Sequence, residues 1–398
     1  MVVNCDNKNH GAKAAIEPKD CFDLVLKVIN NFIPIESKGQ WTQQDIHSVI
    51  IAMAAEAQSI HSMQEIVMIR PAETTLRHHL AKVTMEELEQ INAQLLIDEF
   101  RDMIPTKKPA IIAIDFTDDP YYGKKVDQNE RYVVGGMTKK STNVFYRYAT
   151  LYLIHNDIKL TLGVLPVEKG VSKATYLKRL LAICTDIGLT IKVLLLDRAF
   201  WSGEVLSYLQ KEQVPHIMPV KKNGKKLKRL LKGRKSRSAK YTMGGEYGPV
   251  ELPIAIKVVY LKGRKKKGKK KNGKKAKKRH GIENLGYVSY GLDWSPQKVY
   301  KIYRKRFGVE ASYRMRNIVR PRTSSRNPTL RYLYALVSLL LKNIWVVLSW
   351  RYFCPVRRGP RRIDKDRFRF DLFRLLLWQR VGDLLHLRQR ILTLRPMG

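Results

Sequence analysis

The apolar residues change their period near residue 110, and this constrains the fold more than any other feature of the chain. Before that point they recur at helical spacing. DIHSVIIAMAA follows Thr42, a residue suited to an N-cap, and LEQINAQLLIDEF follows Thr84-Met85-Glu86-Glu87, the pattern of a capping box. After it come short apolar runs that read as buried strands. IIAID ends on Asp115, NVFYRYATLYLIH and IKLTLGVLPV are longer strands, and Lys173 to Ile187 is a helix. IKVLLLD then ends on Asp197, SGEVLSYLQKEQ is a helix and HIMPV a further strand.

Strand, strand, strand, helix, strand, helix, strand is the order of the RNase H-like fold, whose first and fourth strands lie side by side. In that arrangement Asp115 and Asp197 share one edge of a mixed sheet. Two like charges a few ångströms apart repel, so the pair asks for cations between them. Oxygen-only ligands suit Mg²⁺ or Mn²⁺, and two such ions roughly 3.5 to 4 Å apart can hold the attacking and leaving oxygens of an in-line phosphoryl displacement. Glu310 is the third acid. The segment SPQKVYKIYRKRFGVEASYRMRNIV opens on Ser295-Pro296 as one long helix, along which Tyr303, Arg306, Glu310 and Arg314 share a face.

The charge points to a polyanion. Lys and Arg number 75 against 35 acidic residues, a formal net charge of +40, which self-repels unless neutralised. The excess is uneven: residues 1–100 carry 8 basic and 14 acidic side chains, whereas residues 222–280 carry 24 and 2. Residues 262–280, KGRKKKGKKKNGKKAKKRH, are low in complexity and suited to phosphate contact. Four widely spaced cysteines suggest neither zinc nor disulfides. The N-terminus lacks the pattern of a secretion signal. LYALVSLLLKNIWVVLSW, at 333–350, is apolar enough to suggest a membrane span, but Lys342 and Asn343 at its centre favour a buried core helix.

Asp115 in IDFTDDPYYG, Asp197 in LLLDRAFWS and Tyr303-x2-Arg306-x3-Glu310 together resemble the DDE transposases of prokaryotic insertion sequences. The similar group has a Tyr, Arg, Glu, Lys helix signature and an RNase H-like core split by a β-rich insertion before the glutamate. The resemblance covers residues 110–345. It implies that Asp115, Asp197 and Glu310 bind the metals and that Tyr303 and Arg306 contact the transposon end. The family's lysine falls on Asn317; Arg314, about 40° round the helix from Glu310, is the better placed substitute, and Arg316 at about 240° points away. It further implies double-stranded DNA as partner, both terminal inverted repeats and target, a homodimer in the DNA complex, no membrane, and a cytoplasmic, nucleoid-associated location. The rivals are a catalytically inactive DNA-binding relative and an RNase H-like nuclease without strand transfer.

The expected organisation is an α/β protein with a helical N-terminal domain (1–105), an RNase H-like core (106–220 and 291–350), a basic β-rich insertion (221–290) and a basic helical tail (351–398). Within the first, SMQEIVMI and ETTLRHHLAKV around Arg70-Pro71 could form a helix-turn-helix offering Thr74, Thr75, Arg77 and His78 to DNA. Asp118-Asp119-Pro120 reads as a turn, Trp201 as a core aromatic, and Arg198 as a fork orienting Asp197 or a phosphate. The His78-His79 pair and His155 show no ligand spacing.

Overall fold

Helices form at the N-terminus where the sequence caps them. Following Pro18–Phe32 (α1), Thr42 caps Gln43–Ala55 (α2): its Oγ1 accepts from the Asp45 amide, and the Asp45 carboxylate accepts from the Thr42 amide at 2.8 Å. Ile46 to Ala55 are all buried. Two short helices follow, Ile60–Ile66 (α3) and Glu73–Ala81 (α4). The Thr84 capping box also closes, with the Thr84 amide 2.8 Å from Glu87 Oε2. The computed structural model describes residues 15–33, 35, 39–90, 100–155, 158–262, 280–354, 362–364 and 366–389. The continuation of that last helix, the lysine run at 263–279, and Cys5 lie outside them, whereas Cys21, Cys184 and Cys354 are buried thiols.

The strands are Ala110–Pro120 (β1), Val133–Lys139 (β2), Thr142–His155 (β3), Ile158–Pro166 (β4), Ile191–Leu196 (β5), His216–Pro219 (β6), Arg237–Met243 (β7), Val250–Lys262 (β8) and His280–Tyr290 (β9). Lys173–Asp186 (α5) and Gly203–Lys211 (α6) flank β5, and Pro296–Tyr303 (α7), Phe307–Ile318 (α8), Pro328–Tyr352 (α9) and Phe370–Leu385 (α10) follow β9. The chain forms two compact units. The first comprises Met1–Pro105, Phe116–Val171 and Val309–Gly398, the second Thr106–Asp115 and Ser172–Gly308.

In the second unit β1 lies parallel to β5 and β5 parallel to β6, and β9, β8 and β7 continue antiparallel from β6. The β-rich insertion thus pairs onto the core strands through β9. In the first unit the long β3 pairs antiparallel with β2 along its first half and with β4 along its second. The helix α9 packs on β4 there, and α10 packs on α1 and α2.

Two expectations are corrected in β1. The strand does not stop at Asp115 but runs on through Pro120, and Asp118-Asp119 is strand, not turn. The reason is that each carboxylate finds a cation: Asp118 pairs with Arg147 at 2.6 Å and Lys139 at 2.8 Å, and Asp119 with Arg316 and Arg320. β2 is an addition the pattern did not announce, because Gly135, Gly136 and Met137 are exposed without alternation. Its turn to β3 places Lys140 (φ 48°) and Ser141 (φ 65°) in the left-handed region, as a two-residue hairpin turn of this hand requires.

The apolar helix α9 is long enough to cross a membrane by composition, yet 89% of its most apolar window is buried within the protein. Its polar pair serves β4. The β3–β4 ladder slips between Leu151↔Gly163 and Tyr152↔Thr161. Asn343 hydrogen-bonds the backbone of Thr161 next to this slip, accepting from its amide at 3.0 Å and donating to its carbonyl at 2.8 Å. Lys342 Nζ donates to the Lys159 carbonyl.

Candidate active site

Register brings the two aspartates together. Ile114 pairs with Leu196 across the parallel β1–β5 ladder, so the next residues, Asp115 and Asp197, leave the ladder side by side. Asp115 is 7% exposed, and the Asp197 side chain is 39% exposed. Carboxylates so placed need a positive charge. Arg306 provides it, with Nη1 2.6 Å from Asp115 Oδ2 and Nη2 3.6 Å from Asp197 Oδ1. The second distance is an ion pair, too long for a hydrogen bond.

The remaining arm of the guanidinium is also used: Arg306 Nε donates to Tyr303 Oη at 3.1 Å. Burial disfavours the charge on Arg306, but the carboxylate of Asp115, with Tyr303 and Asp197 beyond it, more than offsets this, so the side chain is held more firmly cationic than usual. The Tyr303 phenol is pushed up, chiefly by burial. Its ring rests on that of Tyr287 from β9, centroids 5.0 Å apart, whose phenol is pushed up to about 12 by burial. The insertion strand β9 therefore buttresses the residue that orients Arg306.

A one-turn 3-10 segment, Arg304–Arg306, separates α7 from α8. The single long helix expected here is thus interrupted, and arithmetic at 100° per residue does not carry across the break. Tyr303 and Arg306, read from sequence as outward contacts to a transposon end, are 5% and 6% exposed. Their contacts draw them inward, the turn tightening where Arg306 reaches Tyr303 and Asp115. Glu310 stands exposed on the first turn of α8, in the first unit, and Arg314 and Asn317 are exposed on the same helix. Among the described residues no group of three His, Cys, Asp or Glu is close enough to hold a metal ion. Arg198 is exposed in the 3-10 turn after β5, and Trp201, half-buried, follows that turn. In the helical segment Arg77 pairs with Glu73 at 2.6 Å, and Thr74 and His78 are exposed.

Sequence reasoning missed a second buried constellation. Asp115, Thr117 and Asp119 are buried on alternate positions of β1. This period-2 polar face was the available signal. In the first unit Arg316 donates to both Asp119 oxygens, at 2.5 and 2.6 Å, to Thr117 Oγ1 at 3.0 Å and to Ser338 Oγ at 3.1 Å.

Two hard oxygen donors converging on one cation suit a divalent metal ion, so Asp115 and Asp197 fit such a group. The family model described as transposase DDE domain matches residues 106–340, and members of that family use divalent metal ions. No curated relative matches the chain. A cryo-EM structure of a piggyBac transposase synaptic complex with hairpin DNA is similar in fold, with a TM-score of 0.55 at 12% identity, over 94% of this chain and 81% of that one. That likeness is consistent with an RNase H-like core. Since the family's domain spans more than half of the sequence and includes both aspartates and Glu310, the chain belongs to the transposase DDE domain family.

Proposed function

We propose that this transposase cleaves the ends of its own element and transfers them into target DNA, with Asp115, Asp197 and Glu310 as the three metal-holding acids. The observation that carries this is the placement of Asp115 and Asp197 beyond one paired register of β1 and β5, both facing one buried guanidinium. Mg²⁺ or Mn²⁺, as two ions, is the proposed cofactor; when bound it supplies charge neutralisation at the phosphodiester and lowers the pKa of water. Arg306 holds the aspartates in register with their charges compensated, and Tyr303 holds Arg306. In the first step a water oxygen joins phosphorus and the strand's 3′ oxygen leaves as a hydroxyl. In the second, that hydroxyl attacks a target phosphodiester and frees a target 3′ hydroxyl, so the number of phosphodiester bonds is conserved.

The finer readings are proposals too. Tyr303-x2-Arg306-x3-Glu310 supports the insertion-sequence group, with Arg314, Asn317 and Arg198 on exposed surface available to DNA. Arg306 and Tyr303 reach DNA only on release from their present partners. A homodimer holding two inverted-repeat ends, in a nucleoid-associated cytoplasmic setting, and a DNA-reading N-terminal helical segment complete the proposal.

The test is Mg²⁺- or Mn²⁺-dependent cleavage of a plasmid carrying the gene's flanking DNA, comparing the natural protein with Asp197→Asn and Glu310→Gln. Cleavage at the element ends that both substitutions abolish, with DNA binding retained, is expected. DNA binding without cleavage would make the chain an inactive DNA-binding relative. Cleavage without joining would make it a nuclease.

A further inference from the structure

We propose that a cationic pocket in the first unit binds the backbone of one unpaired DNA strand, with a base stacked on Tyr122. The inference rests on the reading of the chain as a DNA transposase and assigns that activity a strand-binding subsite that shares no residue with the Asp115–Arg306–Asp197 group. The pocket has a volume of about 510 Å³, within the roughly 300–1,000 Å³ of ligand sites. Its walls include Asp119, Tyr121, Tyr122, Arg320, Arg322 and Arg331.

Its charge is not balanced from within. Arg331 is 8% exposed, and its partners are neutral: the carbonyls of Ser325 at 2.6 Å and Thr323 at 3.2 Å, and the rings of Tyr121 and Tyr146, 5.0 and 4.8 Å from the guanidinium carbon. Asp119 is the carboxylate in the lining, and it is already shared between Arg316 and Arg320. Arg322 is exposed, and its amide donates to the Gln58 carbonyl at 3.0 Å, which fixes the loop that carries it. A buried cation with neutral partners is favoured where a ligand brings the negative charge, and planar guanidinium groups match phosphate oxygens.

The aromatic side chains distinguish a strand from a lone anion. Tyr122 is 69% exposed, yet its hydroxyl donates to the Lys140 carbonyl at 2.7 Å, so the ring is a fixed platform with an open face. Beside it the Tyr121 ring lies over Gly123, where a Cβ would sit 2.5 Å from Tyr121 Oη, so a side chain there would have to displace the ring. A groove combining cations with an exposed aromatic face is the recurring design for single-stranded nucleic acid.

The test measures binding of a fluorescent oligothymidylate to the full chain across a salt series, for the natural protein, Arg322→Glu, Tyr122→Ala and Lys211→Glu, a charge reversal on the exposed end of α6. Arg322 and Tyr122 are exposed, so their variants keep the fold. Arg322→Glu is expected to weaken binding about tenfold and reduce the salt slope by about one. Tyr122→Ala is expected to weaken it about fivefold or more with the slope unchanged, and photocross-links are expected to map to Tyr122. Arg322→Glu matching Lys211→Glu, with Tyr122→Ala unchanged, overturns the proposal. Displacement of the strand by equimolar inorganic phosphate does so as well, because the pocket would then take a free anion. A protein that cuts its element ends with both variants unaltered keeps the transposase reading and loses this one.

Discussion

Arg316 closes a buried fork on Asp119, its Nη2 lying 2.5 and 2.6 Å from the two carboxylate oxygens. Asp119 follows Asp115 by four positions on β1, and Arg316 follows Glu310 by six on α8. The pair therefore pins the helix carrying Glu310 to the strand running on from Asp115. Removing one member leaves an uncompensated buried charge, which costs about 3–5 kcal/mol. Asp119→Asn is expected to lose that much in urea unfolding, while Asp119→Leu combined with Arg316→Met recovers most of it.

The same pair sets an acid limit. Burial pushes the Asp119 carboxyl up, but Arg316 and Arg320 together outweigh it and hold the carboxyl below the usual range. The unfolded chain then takes up this proton before the folded one. The contribution is complete above the unfolded value of about 3.9 and declines as pH falls from there through the folded value. A plot of unfolding free energy against pH should bend downward below about pH 4, and the bend should shrink in the double variant that replaces both Asp119 and Arg316 by apolar side chains.

At the active site the fork geometry of Arg306 is the testable element. Arg306→Lys keeps the charge, but one ammonium cannot serve Asp115, Asp197 and Tyr303 at once. End cleavage is expected to fall by about 100-fold, the usual consequence of small misplacements of reacting groups. Binding of element-end DNA should stay within about twofold of the natural protein. A comparable loss of binding would assign Arg306 to DNA contact instead.

The neighbouring of Asp115 and Asp197 was legible because two apolar runs end on aspartate and short buried strands have few arrangements. What surrounds them was not. Asp119 becomes intelligible only with Arg316 and Arg320, about 200 positions away, and no local pattern carries that information. Arg306 lies on the helical face expected for Glu310, but the 3-10 turn and the pull of Asp115 turn it inward. Likewise Asn343 reads as an oddity in an apolar helix until its bonds to the Thr161 backbone appear.

That asparagine gives a further test. Asn343→Leu preserves the volume and apolar character of α9 but removes these two bonds from the buried Thr161 amide and carbonyl. Unsatisfied groups of this kind cost about 1–3 kcal/mol each. Loss of stability in that range is expected in denaturant titrations, and an unchanged midpoint would show that the Thr161 backbone is satisfied without Asn343.

Lys342 beside it should behave in the opposite sense. It is fully buried, and burial pushes its ammonium well below the usual lysine range, with Lys159 adding to the effect. The unfolded chain therefore binds this proton more readily than the folded one, so the group lowers stability at neutral pH. Stability should rise with pH from the folded value up to about 10.4, the unfolded value. Lys342→Met keeps the stem and removes the charge. It is expected to raise stability at pH 7 by about 1–3 kcal/mol, net of the hydrogen bond lost at the Lys159 carbonyl. The gain should fade as pH approaches 10. An equal loss at every pH would mean that the hydrogen bond outweighs the buried charge.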